Sequence, residues 1–317
     1  MTNRDFEKAA LQTFRKQYKA GGIYRQYADA VRKTPAAVQT LTDLPFLPVS
    51  FFKTHRVGPD PECKGAEAIF TSSGTTGADT SRHLVPYLAL YEESFLNGFE
   101  AAYGPVTDWV ILALLPAYLE RSGSSLVYMA EQLIQRSGHP ESGFYLYDHA
   151  ALARQLSELE ARGQQTLLLG VTFALLDFAE AFARSLTHTV VMETGGMKGR
   201  KKELTRGEVH ELLKHAFRIP QVHSEYGMTE MLSQAYAKSD GLFTPSATMR
   251  VLVREAADPF SMGRSGSGVL NVIDLSNQDS CAFLATEDLG VVYPDGRFEV
   301  RGRLDHSALR GCSLLTV

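Results

Sequence analysis

Between residues 66 and 235, short apolar runs alternate with amphipathic stretches, and no other feature of the chain constrains its fold as much. The runs AIFTSSG, WVILALL, GFYLYD, TLLLGVT and HTVVMETGG are separated by helical patterns, which is the β-α rhythm of a layered α/β domain. One helix is marked at its start by a capping box, Thr205 and Glu208. After that box, Val209, Leu212, Leu213, Ala216 and Phe217 are expected to form one core-facing stripe.

The flanks have a different rhythm. Residues 1 to about 60 read as helices followed by LTDLPFLPVSFFKTHRV, where Pro45 and Pro48 forbid a regular helix and an extended path is expected. From about 246 the pattern turns β-rich, with ATMRVLVRE, GVLNVIDLS, CAFLATEDLGVVY and RFEVRGRL, and YPDGRF supplies an Asp-Gly hairpin turn. We therefore divide the chain into residues 1–245, N-terminal helices plus an α/β region, and residues 246–317, a β-rich lobe expected to pack on that region.

Composition excludes several classes. A net charge of -4, from 32 Lys and Arg against 36 Asp and Glu, gives no basic excess to draw the chain to nucleic acid or anionic lipid. No stretch approaches the ~20 apolar residues of a membrane span, and MTNRDFEKAA has no signal-peptide core, so a cytoplasmic address is expected. Cys63, Cys281 and Cys312 are too few and scattered for a disulfide framework or a zinc cluster, and each is by default a small buried hydrophobe. No H-E-x-x-H and no G-x-S-x-G is present.

The chemistry-bearing residues fall in four places. Ser72, Ser73, Gly74, Thr75, Thr76 and Gly77 follow a short strand and precede a helical pattern expected from about His83. Two glycines let successive N–H groups converge on a polyphosphate and four hydroxyls add uncharged donors, although ordinary turns share that composition. The other three are Thr194-Gly195-Gly196 with the basic run Lys198 to Lys202, Ser224-Glu225-Tyr226-Gly227-Met228-Thr229-Glu230, and Thr286-Glu287-Asp288-Leu289-Gly290 followed by Arg301-Gly302-Arg303-Leu304-Asp305. His83 and His223 stand beside these segments, as pocket residues or as hydrogen-bonded structural histidines.

In this order, SSGTTG, YGMTE, TEDLG and GRLD resemble the signatures of the adenylate-forming superfamily of acyl-CoA synthetases, peptide-synthetase adenylation domains and firefly luciferase. After the loop, Ala78-Asp79-Thr80-Ser81-Arg82 replaces the usual Pro-Lys-Gly, and Glu287 replaces a usual glycine. Together with the lead-in LPFLPVSFFKTHRV, the first departure makes the chain similar to the acyl-protein synthetases of bacterial luminescence systems. The resemblance implies an α/β fold: the layered large domain of an adenylate-forming enzyme with a β-rich C-terminal lobe and a site between the two. It implies ATP and Mg²⁺, with the loop Ser72 to Gly77 on the phosphates and Gly195 and Gly196 lining the adenine and acyl pocket. Tyr226 would stack on adenine, Gly227 would admit the nucleotide, Thr229 would bond the α-phosphate and Glu230 would hold the metal. Asp288 would accept the ribose hydroxyls and Arg303 would reach ribose or phosphate.

Nothing after Asp305 matches the family's C-terminal subdomain with its catalytic lysine, so Lys198, Arg200 or Arg82 is expected to supply the missing cation, Lys198 first. A lysine-rich run at a helix start is equally readable as a solvated face. In this family the acyl group rides on a cysteine near the C-terminus, a placement that Cys312 matches. The implied reaction joins a carboxylic acid, a fatty acid by family, to AMP and then to a protein cysteine, with an acyl reductase as partner. Two alternatives remain open: an acyl- or aryl-CoA ligase of the phenylacetate type, and a nucleotide-binding subunit without turnover.

Overall fold

The computed structural model describes residues 2–58, 65–72, 80–115, 123–195 and 204–304. The chain opens with α1 (Asn3–Ala20) and α2 (Gly22–Ala30), joined at Gly21, followed by β1 (Leu47–Pro48) and the single helical turn α3 (Phe51–Thr54). The proline-rich lead-in is thus extended only through Leu47–Pro48, which pairs with a later strand; past Pro48, where no proline removes an N–H, the backbone closes a turn of helix.

Next come β2 (Ala68–Thr71), β3 (Arg82–Val85), α4 (Leu88–Tyr103), β4 (Val110–Leu114), α5 (Ser125–Ser137), β5 (Gly143–Phe144), α6 (His149–Ala161), β6 (Thr166–Val171), α7 (Thr172–Ala181), β7 (Thr189–Thr194), α8 (Arg206–Phe217) and β8 (His223–Tyr226). The β-rich remainder holds β9 (Ala235–Ala237), β10 (Leu242–Pro245), β11 (Met249–Arg254), β12 (Met262–Gly263), β13 (Gly266–Asp274), β14 (Phe283–Val292) and β15 (Phe298–Arg303).

Strands β5, β4, β6, β7 and β8 lie side by side and parallel, in the order β5-β4-β6-β7-β8. Every residue of β4 (VILAL) and β6 (TLLLGV) is buried, as expected of strands covered by helices on both faces, where unbroken apolar runs replace alternation. The β-rich segment continues this sheet edge to edge, against the expectation of a separate lobe packed on it. β10 is the junction: it pairs antiparallel with β9 through Thr244 and Pro245 and with β15 through Leu242 and Phe243. Only four residues long, β10 carries no periodicity that could announce this role.

Two further expectations are corrected. His83 begins no helix; it lies in β3, whose residues pair with β2 from Thr71↔Arg82 to Ala68↔Val85, and α4 starts at Leu88, beyond Pro86. On α8 the capping box forms as expected, but Leu212 is 51% exposed while Val209, Leu213 and Phe217 are buried. The buried residues recur at four-residue spacing, which rotates the i+3 position toward solvent.

Core residues fall into two clusters, one around the parallel strands and one joining α1 and α2 to the antiparallel strands. In the second, Phe283 meets Phe14 and Phe46 edge-on and stacks with Tyr24. Gln17 of α1 donates to the carbonyls of Asn277, Gln278 and Ser280 and accepts from the Ala282 N–H. Tyr226, at the end of β8, belongs to this second cluster, so the seam between the clusters coincides with the C-terminal end of the parallel strands. No described helix is long and apolar enough to cross a membrane.

Candidate active site

The stem of the Ser/Thr/Gly loop is a β-hairpin. The Ser72 N–H donates to the Ser81 carbonyl at 3.1 Å and the Ser81 N–H to Ser72 Oγ at 3.0 Å, which brings the two ends of the 73–79 connection together. Ser73, Gly74, Thr75, Thr76 and Gly77 lie outside the described residues, and Arg82 is exposed at the stem.

Strands β7 and β8 end level with each other, with Thr194 opposite Glu225, so that Gly195 and Gly227 emerge at adjacent C-terminal strand ends. That edge is where parallel α/β sheets take ligands. Gly195 has φ 73°, a left-handed conformation that favours glycine, and its carbonyl accepts from Thr172 Oγ1 at 2.9 Å. At Gly227 a Cβ would stand 2.6 Å from Glu225 Oε1, so a larger residue there would push the Glu225 carboxyl aside. Gly196, Lys198, Arg200 and the rest of the basic run lie outside the described residues.

Tyr226, Asp288 and Arg303 come together from three strands. Asp288 and Arg303 are directly opposed on β14 and β15, with Arg303 Nε 3.4 Å from Asp288 Oδ1. The Tyr226 hydroxyl donates to Asp288 Oδ2 at 2.8 Å. Burial, then the Asp288 charge, holds the phenol well above its ordinary pKa, so it remains a donor. The Tyr226 ring packs against both members of the stacked pair Phe243 and Phe298, at 5.7 and 5.3 Å.

The following turn, bearing Thr229 and Glu230, is held by side chains distant in sequence. His83 Nδ1 lies 2.8 Å from the Thr229 carbonyl, and Asn277 Nδ2 donates to the Glu230 carbonyl at 2.8 Å. Just beyond, Asp274 accepts from the Leu232 and Ser233 N–H groups at 2.7 and 3.0 Å and from Ser233 Oγ at 2.6 Å. Glu230 is 5% exposed. No group of three or more His, Cys, Asp and Glu side chains suited to a metal occurs among the described residues, but magnesium on a nucleotide needs only one or two carboxylates besides phosphate oxygens, and Glu230 fits that pattern.

His223 and His83 are both hydrogen-bonded interior histidines. Burial lowers each pKa to about 4; His223 Nδ1 meets Tyr103 Oη at 3.0 Å. Cys281 is fully buried and its thiol is pushed up to about 12, the inert hydrophobe expected of it, while Cys63 and Cys312 lie outside the described residues.

Sequence reasoning missed two buried carboxyls. Burial tends to raise the pKa of Glu193, but His210 and Arg206 outweigh it and hold the group below its usual range; Arg206 Nε is 3.1 Å from its Oε1. Among the described residues Glu225 has no such cation: burial raises its pKa to about 7, opposed by the hydrogen bond from Thr194 Oγ1 and reinforced by Glu193. Its adjacency to the Tyr-Gly pair was the available signal.

The raised Glu225 pKa implies a pH-dependent stability. From about pH 4.5 to about pH 7 the folded chain keeps a proton that the unfolded chain releases, so this group's contribution falls as pH rises through that window. Glu225→Gln removes the effect. Urea denaturation from pH 4.5 to 8 should show the variant's advantage over wild type growing to about 2–3 kcal/mol above pH 7. A difference that does not change with pH would mean that Glu225 titrates normally.

The fold is similar to that of solved adenylate-forming enzymes. The chain superimposes on ATP-bound MatB from Rhodopseudomonas palustris with a TM-score of 0.54 at 19% identity, over 76% of this chain and 49% of that one. With 2-hydroxyisobutyryl-CoA ligase in a postadenylation state the TM-score is 0.67 at 13% identity, over 96% of this chain and 69% of the ligase. The chain therefore spans about half the length of MatB. Within the class its similarity is to the acyl-protein synthetases: the family model described as acyl-protein synthetase, LuxE, matches residues 2–85. A long-chain-fatty-acid–luciferin-component ligase of Vibrio harveyi is 22% identical over 318 residues, 92% of this chain and 82% of the relative.

Proposed function

We propose that this chain activates a carboxylic acid with ATP and then transfers the acyl group to a protein cysteine. The observation that carries the reading is the convergence of Tyr226, Asp288 and Arg303 beside the adjacent ends of β7 and β8. A carboxylate fixed between a phenol and a guanidinium is a ready acceptor for a ribose diol. Gly195 and Gly227, at the ends of β7 and β8, would admit adenine beside Tyr226 with Gly196 lining the same pocket, and Ser72 to Gly77 would supply donors for the β- and γ-phosphates.

In the first step an oxygen of the substrate carboxylate attacks the α-phosphorus, the bond to the bridging oxygen breaks, and pyrophosphate leaves with the electron pair, giving acyl-AMP. Thr229 would bond the α-phosphate, Glu230 would hold magnesium, and Lys198 would oppose the charge developing on the phosphates. Bound magnesium supplies charge neutralisation on the phosphate oxygens. In the second step a thiolate attacks the acyl carbon and AMP departs, leaving a thioester.

The name of the Vibrio harveyi relative supports a long-chain fatty acid; we further propose an acyl reductase as downstream partner and the cytoplasm as site of action. A second reading, release on coenzyme A, is favoured by the CoA-ligase name of the structure aligned over 96% of the chain. Labelled long-chain fatty acid with ATP separates them. Hydroxylamine-sensitive label on the protein is expected; label appearing only on added coenzyme A would establish the second reading.

A further inference from the structure

The buried pair His83–Asn277 joins three segments that have no backbone pairing with one another. His83 lies in β3, two residues beyond Ser81 at the foot of the loop stem; Asn277 follows β13; Thr229 and Glu230 form the turn after Tyr226. His83 and Asn277 are both 0% exposed. One ring nitrogen of His83 faces the Thr229 carbonyl at 2.8 Å, across 146 positions of chain, and the other faces Asn277 Oδ1 at 3.1 Å, across 194. Asn277 Nδ2 completes the path to the Glu230 carbonyl at 2.8 Å. The edge of Phe52 meets the His83 ring at 5.5 Å and 88°, and Gln17 donates to the Asn277 carbonyl at 3.1 Å, so neither side chain is free to turn away. A buried imidazole and a buried amide are costly unless their donors are matched, and here the Nδ1–H of His83 and Nδ2 of Asn277 meet the carbonyls of the one turn that bears Thr229 and Glu230.

We propose that His83 and Asn277 are positioning residues, a two-part clamp that holds the Thr229–Glu230 turn at a set distance from the hairpin stem of the Ser/Thr/Gly loop. The proposal rests on the nucleotide reading given above, because the spacing matters only if stem and turn serve the same triphosphate. The clamp touches neither acid nor adenine. Its loss should act on the use of MgATP and leave the acid site alone.

Three variants separate this role from simple structural support. His83→Leu keeps bulk and removes both contacts; His83→Asn keeps a donor where Nδ1 meets Thr229; Asn277→Ala removes the other half. In acid-dependent ATP–pyrophosphate exchange, His83→Leu should raise the KM for MgATP tenfold or more with the KM for the acid unchanged, and His83→Asn should stay within about threefold of wild type. Adding Asn277→Ala to His83→Leu should cost little more than either change alone, since a broken clamp cannot be broken twice. Equal rises in both KM values, no rescue by asparagine, or additive losses would overturn the proposal. Hydrogen exchange on the ligand-free variants supplies a readout independent of activity. His83→Leu should deprotect the amides of residues 227–233 while those of β11 keep wild-type protection, and unchanged protection at 227–233 would also overturn it. A wild-type chain that binds no MgATP in calorimetry would instead remove the nucleotide reading, and hydrogen exchange alone would then decide whether the clamp exists.

Discussion

Asp288→Ala is expected to lower kcat/KM for ATP by about 10²–10⁴-fold. The carboxylate is placed to accept two hydrogen bonds from a diol, and charge-assisted bonds contribute about 1.5–3 kcal/mol each, which in sum corresponds to that factor. The fold should survive. The truncation leaves the Tyr226 hydroxyl, which donates to Asp288 Oδ2, without its partner, at about 1–3 kcal/mol. The Arg303 side chain is 60% exposed, so losing its 3.4 Å contact costs little once water replaces it. Tyr226→Phe supplies the contrast: it removes the buttressing hydroxyl but keeps the carboxylate, and a drop of only about tenfold is expected for one lost charge-assisted bond. Steady-state kinetics at saturating acid measures both. A Tyr226→Phe defect as large as that of Asp288→Ala would mean that the phenol, and not the carboxylate, meets the nucleotide.

Cys312→Ser is expected to abolish hydroxylamine-sensitive labelling of the protein while pyrophosphate exchange survives. Of the three cysteines, Cys281 is fully buried with its thiol pushed up to about 12, so it offers no thiolate to an acyl-adenylate. Cys312 stands in Arg310-Gly311-Cys312-Ser313, the placement near the C-terminus on which the proposed transfer relies. A serine hydroxyl in its place remains protonated at neutral pH and lacks the general base that nucleophilic serines require. Loss of label by 100-fold or more with exchange intact would assign transfer to Cys312. Thioester label retained in the variant would assign it to Cys63 or to an acceptor on another molecule.

The parallel strands were legible because β4, β6 and β7 are buried runs of Val, Ile and Leu bounded by polar turns, a pattern that few other environments tolerate. Tyr226, Asp288 and Arg303 were legible as motif residues, and the structure brings these three together. Their mutual hydrogen bonds were not, because they depend on the register that opposes Asp288 to Arg303. Glu193 and Glu225 escaped notice because period-two reasoning places polar strand residues outward, whereas β7 and β8 are covered on both faces and bury them. His83 was misplaced for a related reason. The stretch RHLVP has too few residues to distinguish a strand from a helix start, and only its pairing with β2 decides.

The central claim is acid activation by adenylation, and ATP–pyrophosphate exchange measures it most directly. With MgATP, labelled pyrophosphate and a panel of acids from short to long chain, label should enter ATP only when an acid is present, most rapidly with long-chain fatty acids. Exchange should disappear when magnesium is chelated. A chain that binds MgATP yet exchanges no pyrophosphate with any acid would contradict the account and leave a nucleotide-binding protein without turnover.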